Sequence, residues 1–206
     1  MTREDICGVY LITESVPDML ERVRIALANG VKVVQYRGKN DPEAKRLPMA
    51  NRLRCLCGEY GAFFIVNDDP GLALACRADG VHLGQGDGSV MQARQMLGEA
   101  ALIGVSTHSL SEAEQAQRQG ADYIGFGCLF ATASKRDTVS ASLDELRLVR
   151  HVVSLPIVAI GGIHIGNAAL AVQAGADAVA VISAVMQADD CKSTVCELDR
   201  QCRALI

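Results

Sequence analysis

What this sequence lacks narrows the field first. It has no long basic run, and its formal net charge is −4, which argues against a nucleic-acid footprint. It has no long uninterrupted apolar run. Stretches such as Val152 to Ile163 are too short, and are broken by Gly161 and Gly162, so none reads as a membrane span. The opening Met1-Thr2-Arg3-Glu4-Asp5 lacks the charged-then-apolar layout of a signal peptide, and a cytoplasmic chain is expected. Linkers and low-complexity tracts are missing too. The 206 residues, half of them hydrophobic, read as one domain spanning 1–206 with enough apolar content for a substantial core.

Metal-ligand spacing is also absent. Eight cysteines are present, but Cys55-x-Cys57 is too tight for a zinc knuckle. Cys191, Cys196 and Cys202 fall on an expected terminal helix, and Cys7, Cys76 and Cys128 sit in or beside apolar runs. Reduced packing cysteines are the expectation. His82, His108, His151 and His164 show no paired spacing, and His82 reads as a packing residue within its strand.

What is there is periodic. Apolar, β-rich runs recur at Ile6–Thr13, Val31–Arg37, Phe63–Asn67, Gly80–Gly84, Leu102–Thr107, Asp122–Gly127, Pro156–Gly161 and Ala178–Ile182. Helical spacing occupies Val16–Ala28, Glu43–Glu59, Ser111–Gln119 and Asn167–Ala174 between them. Small turns such as Asn29-Gly30, Ala78-Asp79-Gly80 and Gly175-Ala176-Asp177 close helices just before strands. Those strands are too continuously apolar to face water on one side. About eight strand-then-helix units in a chain of this size fit an α/β fold, a single (β/α)8 barrel. A doubly wound open sheet is the competing architecture.

In such a barrel chemistry belongs at the C-terminal strand ends, and those ends are polar here. The second strand runs into Gln35-Tyr36-Arg37-Gly38-Lys39, the third into Asn67-Asp68-Asp69, and the fourth leads to Gln85 and Asp87. The fifth ends Ser106-Thr107-His108. The loop after the sixth holds Thr132, Ser134, Lys135 and Arg136. The seventh ends Gly161-Gly162 and the eighth Ile182-Ser183-Ala184.

Three chemistries emerge. Gly161-Gly162 and Ser183-Ala184 follow the last two strands, where such barrels often hold a phosphate on backbone amides; two glycines equally mark a tight turn. Arg37 and Lys39 alternate along one strand end, and Lys135 adds a third cation, which suits a polyanionic substrate. Asp68 and Asp87, near Asn67 and Gln85, offer hard oxygen ligands of the kind Mg²⁺ takes together with substrate phosphates. The competing account is an ordinary helix cap by Asp69 before Pro70, plus a loop aspartate at 87.

The motifs Gln35-Tyr36-Arg37-Gly38-Lys39, Val66-Asn67-Asp68-Asp69, Gly80-Val81-His82-Leu83-Gly84-Gln85-Gly86-Asp87, Gly104-Val105-Ser106-Thr107-His108 and Ala159-Ile160-Gly161-Gly162-Ile163 resemble, in order, those of the thiamine-phosphate synthase family. The resemblance runs from about Tyr10 to about Ala188. It implies a (β/α)8 barrel and a transferase that joins hydroxymethylpyrimidine diphosphate to hydroxyethylthiazole phosphate, releasing pyrophosphate with Mg²⁺ present. It implies that Gln35, Arg37, Lys39 and Asn67 contact the pyrimidine diphosphate and that Asp68 and Asp87 hold Mg²⁺. Ser106 and Lys135 would touch the pyrimidine substrate or its pyrophosphate, with Arg37, Lys39, Ser106 and Lys135 the catalytic set. Thr132 and Ser134 would bind the thiazole phosphate, with Gly162, Ile182 and Ser183 completing its cradle. Small-molecule partners follow, and association into a homo-oligomer is left open.

Two departures stand out. The family commonly has Glu where Gly38 stands, and a proline-rich loop where this chain reads Gly127-Cys128-Leu129-Phe130-Ala131-Thr132-Ala133-Ser134-Lys135; Ser134 keeps a hydroxyl for the anion. The implied mechanism is dissociative: the cations neutralise leaving pyrophosphate, and the aminopyrimidine stabilises a methylene cation that the thiazole nitrogen captures. No nucleophile with an adjacent base is visible, so electrostatics and positioning carry the work. The alternatives are a thiazole tautomerase on a similar barrel, with His108 as base, another phosphate-handling epimerase or lyase, and an inactive regulator that binds thiamine precursors.

Overall fold

A computed structural model describes residues 5–131 and 141–203. Eight parallel strands close into a barrel in sequence order: β1 (Gly8–Ile12), β2 (Val33–Tyr36), β3 (Phe63–Asn67), β4 (Gly80–Leu83), β5 (Leu102–Thr107), β6 (Tyr123–Phe126), β7 (Ile157–Ala159) and β8 (Ala178–Val181). Closure is made by β8 on β1, with Gly8 opposite Ala178 and Leu11 opposite Val181. The helices are α1 (Met19–Ala28), α2 (Glu43–Glu59), α3 (Pro70–Ala75), α4 (Val90–Leu97), α5 (Leu110–Arg118), α6 (Leu143–Val152), α7 (Ala168–Gln173), the short α8 (Ser183–Met186) and α9 (Cys191–Arg203). The closed barrel excludes the open sheet.

Strand alternation divides the apolar residues into two shells. Val9, Leu11, Val34, Tyr36, Phe64 and Val66 face outward into the layer beneath the helices. Tyr10, Ile12, Val33, Phe63, Ile65, Tyr123 and Val158 fill the barrel interior. Helix starts carry their own stop signals. Ser89 with Gln92 and Ser142 with Glu145 form capping boxes on α4 and α6, satisfying amides that no helical carbonyl reaches.

Three aspartates at the opposite, N-terminal ends of strands serve the fold. Asp79, Asp122 and Asp177 accept the backbone amides of Phe64, Ile103 and Ile157 at 2.7–2.8 Å. Each also pairs with an arginine from a helix: Arg54 at 3.4 Å, Arg94 at 2.6 Å and Arg150 at 2.8 Å. This repeated clasp explains the Asp-containing turns of the sequence. The cysteines are free among the described residues. Burial pushes the Cys57 thiol up to about 12 and that of Cys202 to about 11, which suits inert packing residues.

Candidate active site

A cavity of about 340 Å³ opens at the C-terminal mouth of the barrel. Gln35, Arg37, Asn67, Ser106, Gly162, Ile182 and Ser183 all line it, so seven residues from five strand ends meet in one space. Lys39, Asp68 and Asp87 do not line the cavity but gather beside it. Lys39 Nζ lies 2.9 Å from Asp68 Oδ2, and the Asp68 and Asp87 carboxyl groups adjoin each other beside Gly84. Thr132, Ser134 and Lys135 lie outside the described residues.

Neighbouring acids at the end of β3 separate by task. Asp69 is the helix cap the sequence allowed for: its Oδ1 accepts Leu72 N at 2.9 Å, its Oδ2 pairs with Arg46 at 3.0 Å, and Pro70 follows. Asp68 instead takes a left-handed backbone, φ +64. A non-glycine residue pays for that conformation on the order of 1–3 kcal/mol and holds it where its surroundings fix it, often at functional sites. Here the Asp68 N–H donates to the His82 carbonyl at 2.8 Å, continuing the sheet, while the side chain turns to Lys39 and Asp87.

The two carboxylates shift in opposite directions. Burial acts to raise Asp68, but Lys39, Asp87 and Asn67 outweigh it, and its carboxyl sits below the ordinary range. Burial and then the adjacent Asp68 raise Asp87. Space is kept for both acids by Gly84. A Cβ there would meet Asp87 Oδ2 at 2.6 Å and lie 4.0 Å from Asp68 Oδ1, and the Gly84 amide donates to Asp87 Oδ2 at 2.9 Å. A half-buried acid beside an exposed one, with room around them, fits a hard divalent cation that uses one or two protein carboxylates. Among the described residues no group of three or more His, Cys, Asp or Glu could hold a metal.

Beneath the mouth runs a hydrogen-bonded chain that sequence reasoning missed. Gln35 Nε2 donates to Tyr10 Oη at 2.9 Å, and Tyr10 and Tyr123 hydroxyls meet at 2.8 Å. Tyr123 Oη lies 3.2 Å from His82 Nδ1, and His82 Nε2 lies 3.0 Å from Ser106 Oγ. His82 is buried, as a packing residue would be, but it also lines the cavity and contacts Ser106. Burial raises both phenols well above their usual range, so they stay neutral. The available signal was alternation: Tyr10, Gln35, His82, Ser106 and Tyr123 occupy inward positions. Ser106 is also held from the rim, where Gln85 Nε2 donates to its carbonyl at 2.5 Å. His108 lines the cavity too, its Nδ1 3.1 Å from Glu112 Oε2.

At the last two strands, Gly162 has φ +62, and a Cβ on it would meet the carbonyl oxygens of Ala131 at 2.5 Å and Phe130 at 2.8 Å. The turn therefore requires glycine for packing, whatever it binds. The Gly162 carbonyl accepts Asn167 Nδ2 at 3.0 Å.

Eight parallel strands with a cavity at their C-terminal mouth, ringed by polar strand-end residues, define a (β/α)8-barrel enzyme. The family model for thiamine monophosphate synthase matches residues 9–185. A thiamine-phosphate synthase of Halorhodospira halophila is 45% identical over 197 residues, covering 95% of this chain and 94% of that protein. A thiamine phosphate pyrophosphorylase from Pyrococcus furiosus superposes with a TM-score of 0.91 at 38% identity, covering 99% and 98% of the two chains. A thiamine biosynthesis bifunctional protein of Geobacter sulfurreducens is 49% identical over 185 residues; these are 90% of this chain, which spans 38% of that longer protein. The chain belongs to the thiamine monophosphate synthase family, and the function this supports is thiamine-phosphate synthase, a transferase. No described helix is long and apolar enough to cross a membrane.

Proposed function

We propose that this chain condenses hydroxymethylpyrimidine diphosphate with hydroxyethylthiazole phosphate, or its carboxylated form, by Mg²⁺-assisted dissociative substitution in the cytoplasm. The observation that carries this reading is the grouping of Arg37, Lys39, Asp68 and Asp87 on three neighbouring strand ends beside the cavity. That arrangement suits a diphosphate leaving group, whose charge grows as its bond to carbon breaks, and cations placed there act most strongly late in the reaction.

Asp68 and Asp87 would hold the metal, which when bound supplies positive charge to the departing diphosphate. Arg37 and Lys39 bind the diphosphate oxygens, joined by Lys135. Asn67 and Ser106 orient the pyrimidine end, and Gln35 faces it from the barrel floor. Thr132, Ser134, Gly162, Ile182 and Ser183 receive the thiazole phosphate. The cavity walls, largely apolar at Ile12, Val158, Ile160 and Ala180, exclude water from the methylene cation and leave the thiazole nitrogen as its captor.

A tautomerase would have no need of the carboxylate pair or its lysine, and neither would a regulator that only binds. The deciding experiment mixes both phosphorylated precursors with Mg²⁺ and follows thiamine phosphate and pyrophosphate. Equal release of both, abolished by EDTA and restored by Mg²⁺, is expected. Isomerisation of the thiazole without pyrophosphate release, or full activity in EDTA, would overturn the reading.

A further inference from the structure

Residues 37–41 bear two of the cations yet belong to no helix or strand, so something else must aim them. Thr13, fully buried, accepts the Arg37 amide on Oγ1 at 3.0 Å, while its own N–H donates to the Gln35 carbonyl at 2.8 Å. The Asp41 amide donates to the Gly38 carbonyl at 3.2 Å, closing a turn over Lys39 and Asn40.

The Asp41 carboxylate then ties this turn to two other elements. Its Oδ2 accepts the Tyr36 hydroxyl at 2.6 Å, and its Oδ1 accepts the Ser15 hydroxyl, from the loop between β1 and α1, at 2.6 Å. Such charge-assisted bonds are roughly twice as strong as neutral ones. The Tyr36 ring is 1% exposed in the layer under the helices, so its hydroxyl reaches the turn from a fixed base. Gly38 belongs to the same arrangement. A Cβ at 38 would meet Tyr36 Oη at 2.5 Å and Cζ at 2.7 Å, and Asp41 Oδ2 at 3.1 Å. The departure noted at this position has a local cause: the Tyr36–Asp41 bond fills the space a side chain would need.

We propose that Asp41 is a positioning residue for the diphosphate site. Clamped by Tyr36 and Ser15, it fixes the turn that presents Arg37 and Lys39, and Gly38 is the companion the clamp requires. The inference rests on the assignment of Arg37 and Lys39 to the diphosphate. Asp41 touches no substrate in this role. It removes beforehand the disorder that binding would otherwise have to quench in two long side chains and their loop.

The test titrates inorganic pyrophosphate with Mg²⁺ into the wild-type protein, Asp41→Ala, Asp41→Asn, Tyr36→Phe and Arg37→Ala, by calorimetry, alongside steady-state kinetics for both substrates. Asp41→Ala should weaken pyrophosphate binding roughly tenfold, about 1.4 kcal/mol, and raise KM for the pyrimidine diphosphate while leaving KM for the thiazole phosphate unchanged. Asp41→Asn, whose amide oxygen still accepts a hydroxyl, should recover most of the loss. Tyr36→Phe added to Asp41→Ala should bring no further loss, since both remove one interaction. Pyrophosphate binding unchanged in Asp41→Ala but weakened in Arg37→Ala would overturn the role of Asp41 and leave the diphosphate assignment standing. Unchanged binding in both would overturn both. Equal losses for the two substrates would reduce Asp41 to a general support of the fold and overturn the inference.

Discussion

Lys39 and Asp68 are joined by an ion pair of 2.9 Å across the ends of β2 and β3. The lysine side chain remains half exposed, while Asp68 is largely covered and already shares its carboxylate with Asp87. A cation proposed for the diphosphate thus sits on an acid proposed for the metal. Exchange of partners at this pair would link the two proposed binding events.

Asp68→Asn and Asp87→Asn keep shape and remove charge. Either should lower turnover by roughly 10²–10³, the scale for deleting one preorganised electrostatic group, with circular dichroism unchanged. Gly84→Ala should have a similar effect without removing any acid, because its methyl would intrude on Asp87 Oδ2. A wild-type rate for the doubly substituted aspartates would reduce these carboxylates to loop residues.

The same pair governs stability against pH in metal-free buffer. Asp87 is raised in the folded state, so its contribution is present below the ordinary carboxylate value and lost as pH rises through the raised one. Asp68 is lowered, so its contribution is present above the ordinary value and lost as pH falls through the lowered one. At pH 7 the Asp87 charge therefore works against the fold. Asp87→Asn should melt at a higher temperature than the wild type at pH 7, the difference shrinking as pH falls through the raised value. A lower melting temperature at pH 7 would contradict this sign.

Ser183→Ala is a cleaner probe of the thiazole phosphate than any change at Gly162, where a side chain would collide with the loop carbonyls of Phe130 and Ala131. Loss of one hydroxyl contact to a charged oxygen, about 1.5–3 kcal/mol, should weaken thiazole phosphate binding roughly ten- to hundredfold. Pyrophosphate affinity should stay at the wild-type value. Parallel loss of both ligands would argue against separate sites.

Tyr123→Phe should cost about 1–3 kcal/mol, measured by urea unfolding, because Tyr10 and His82 each lose a partner in the barrel interior. A neutral result would mean that water replaces the hydroxyl there.

The barrel was legible because each strand is a short apolar run closed by a polar end. Glu43–Glu59 emerged with both bounds as expected. Asp69 was legible as a helix cap because Pro70 follows it, whereas the left-handed turn at Asp68 that sends the two acids apart was not, since no local pattern marks a non-glycine residue for that backbone. The Tyr10–Tyr123 contact joins residues 113 positions apart across the barrel, and no local pattern encodes such a meeting. The clamp on Gly38 was invisible for a related reason. Its absent side chain is explained by a tyrosine two residues earlier that points the other way from Gln35, with its hydroxyl curling back to the rim.

The chain of hydroxyls in the barrel floor can run in two directions. In one, Tyr10 gives its proton to Tyr123 and Tyr123 gives its own to His82 Nδ1; in the other, Tyr10 accepts from both Gln35 and Tyr123, and His82 Nδ1 donates to Tyr123. A neutral imidazole that accepts on Nδ1 carries its hydrogen on Nε2, the nitrogen facing Ser106 Oγ. In the first order Ser106 accepts from below and keeps its proton for the cavity; in the second it gives that proton to Nε2. The tautomer of one buried imidazole thereby decides whether the serine meets an incoming molecule as a donor or as an acceptor.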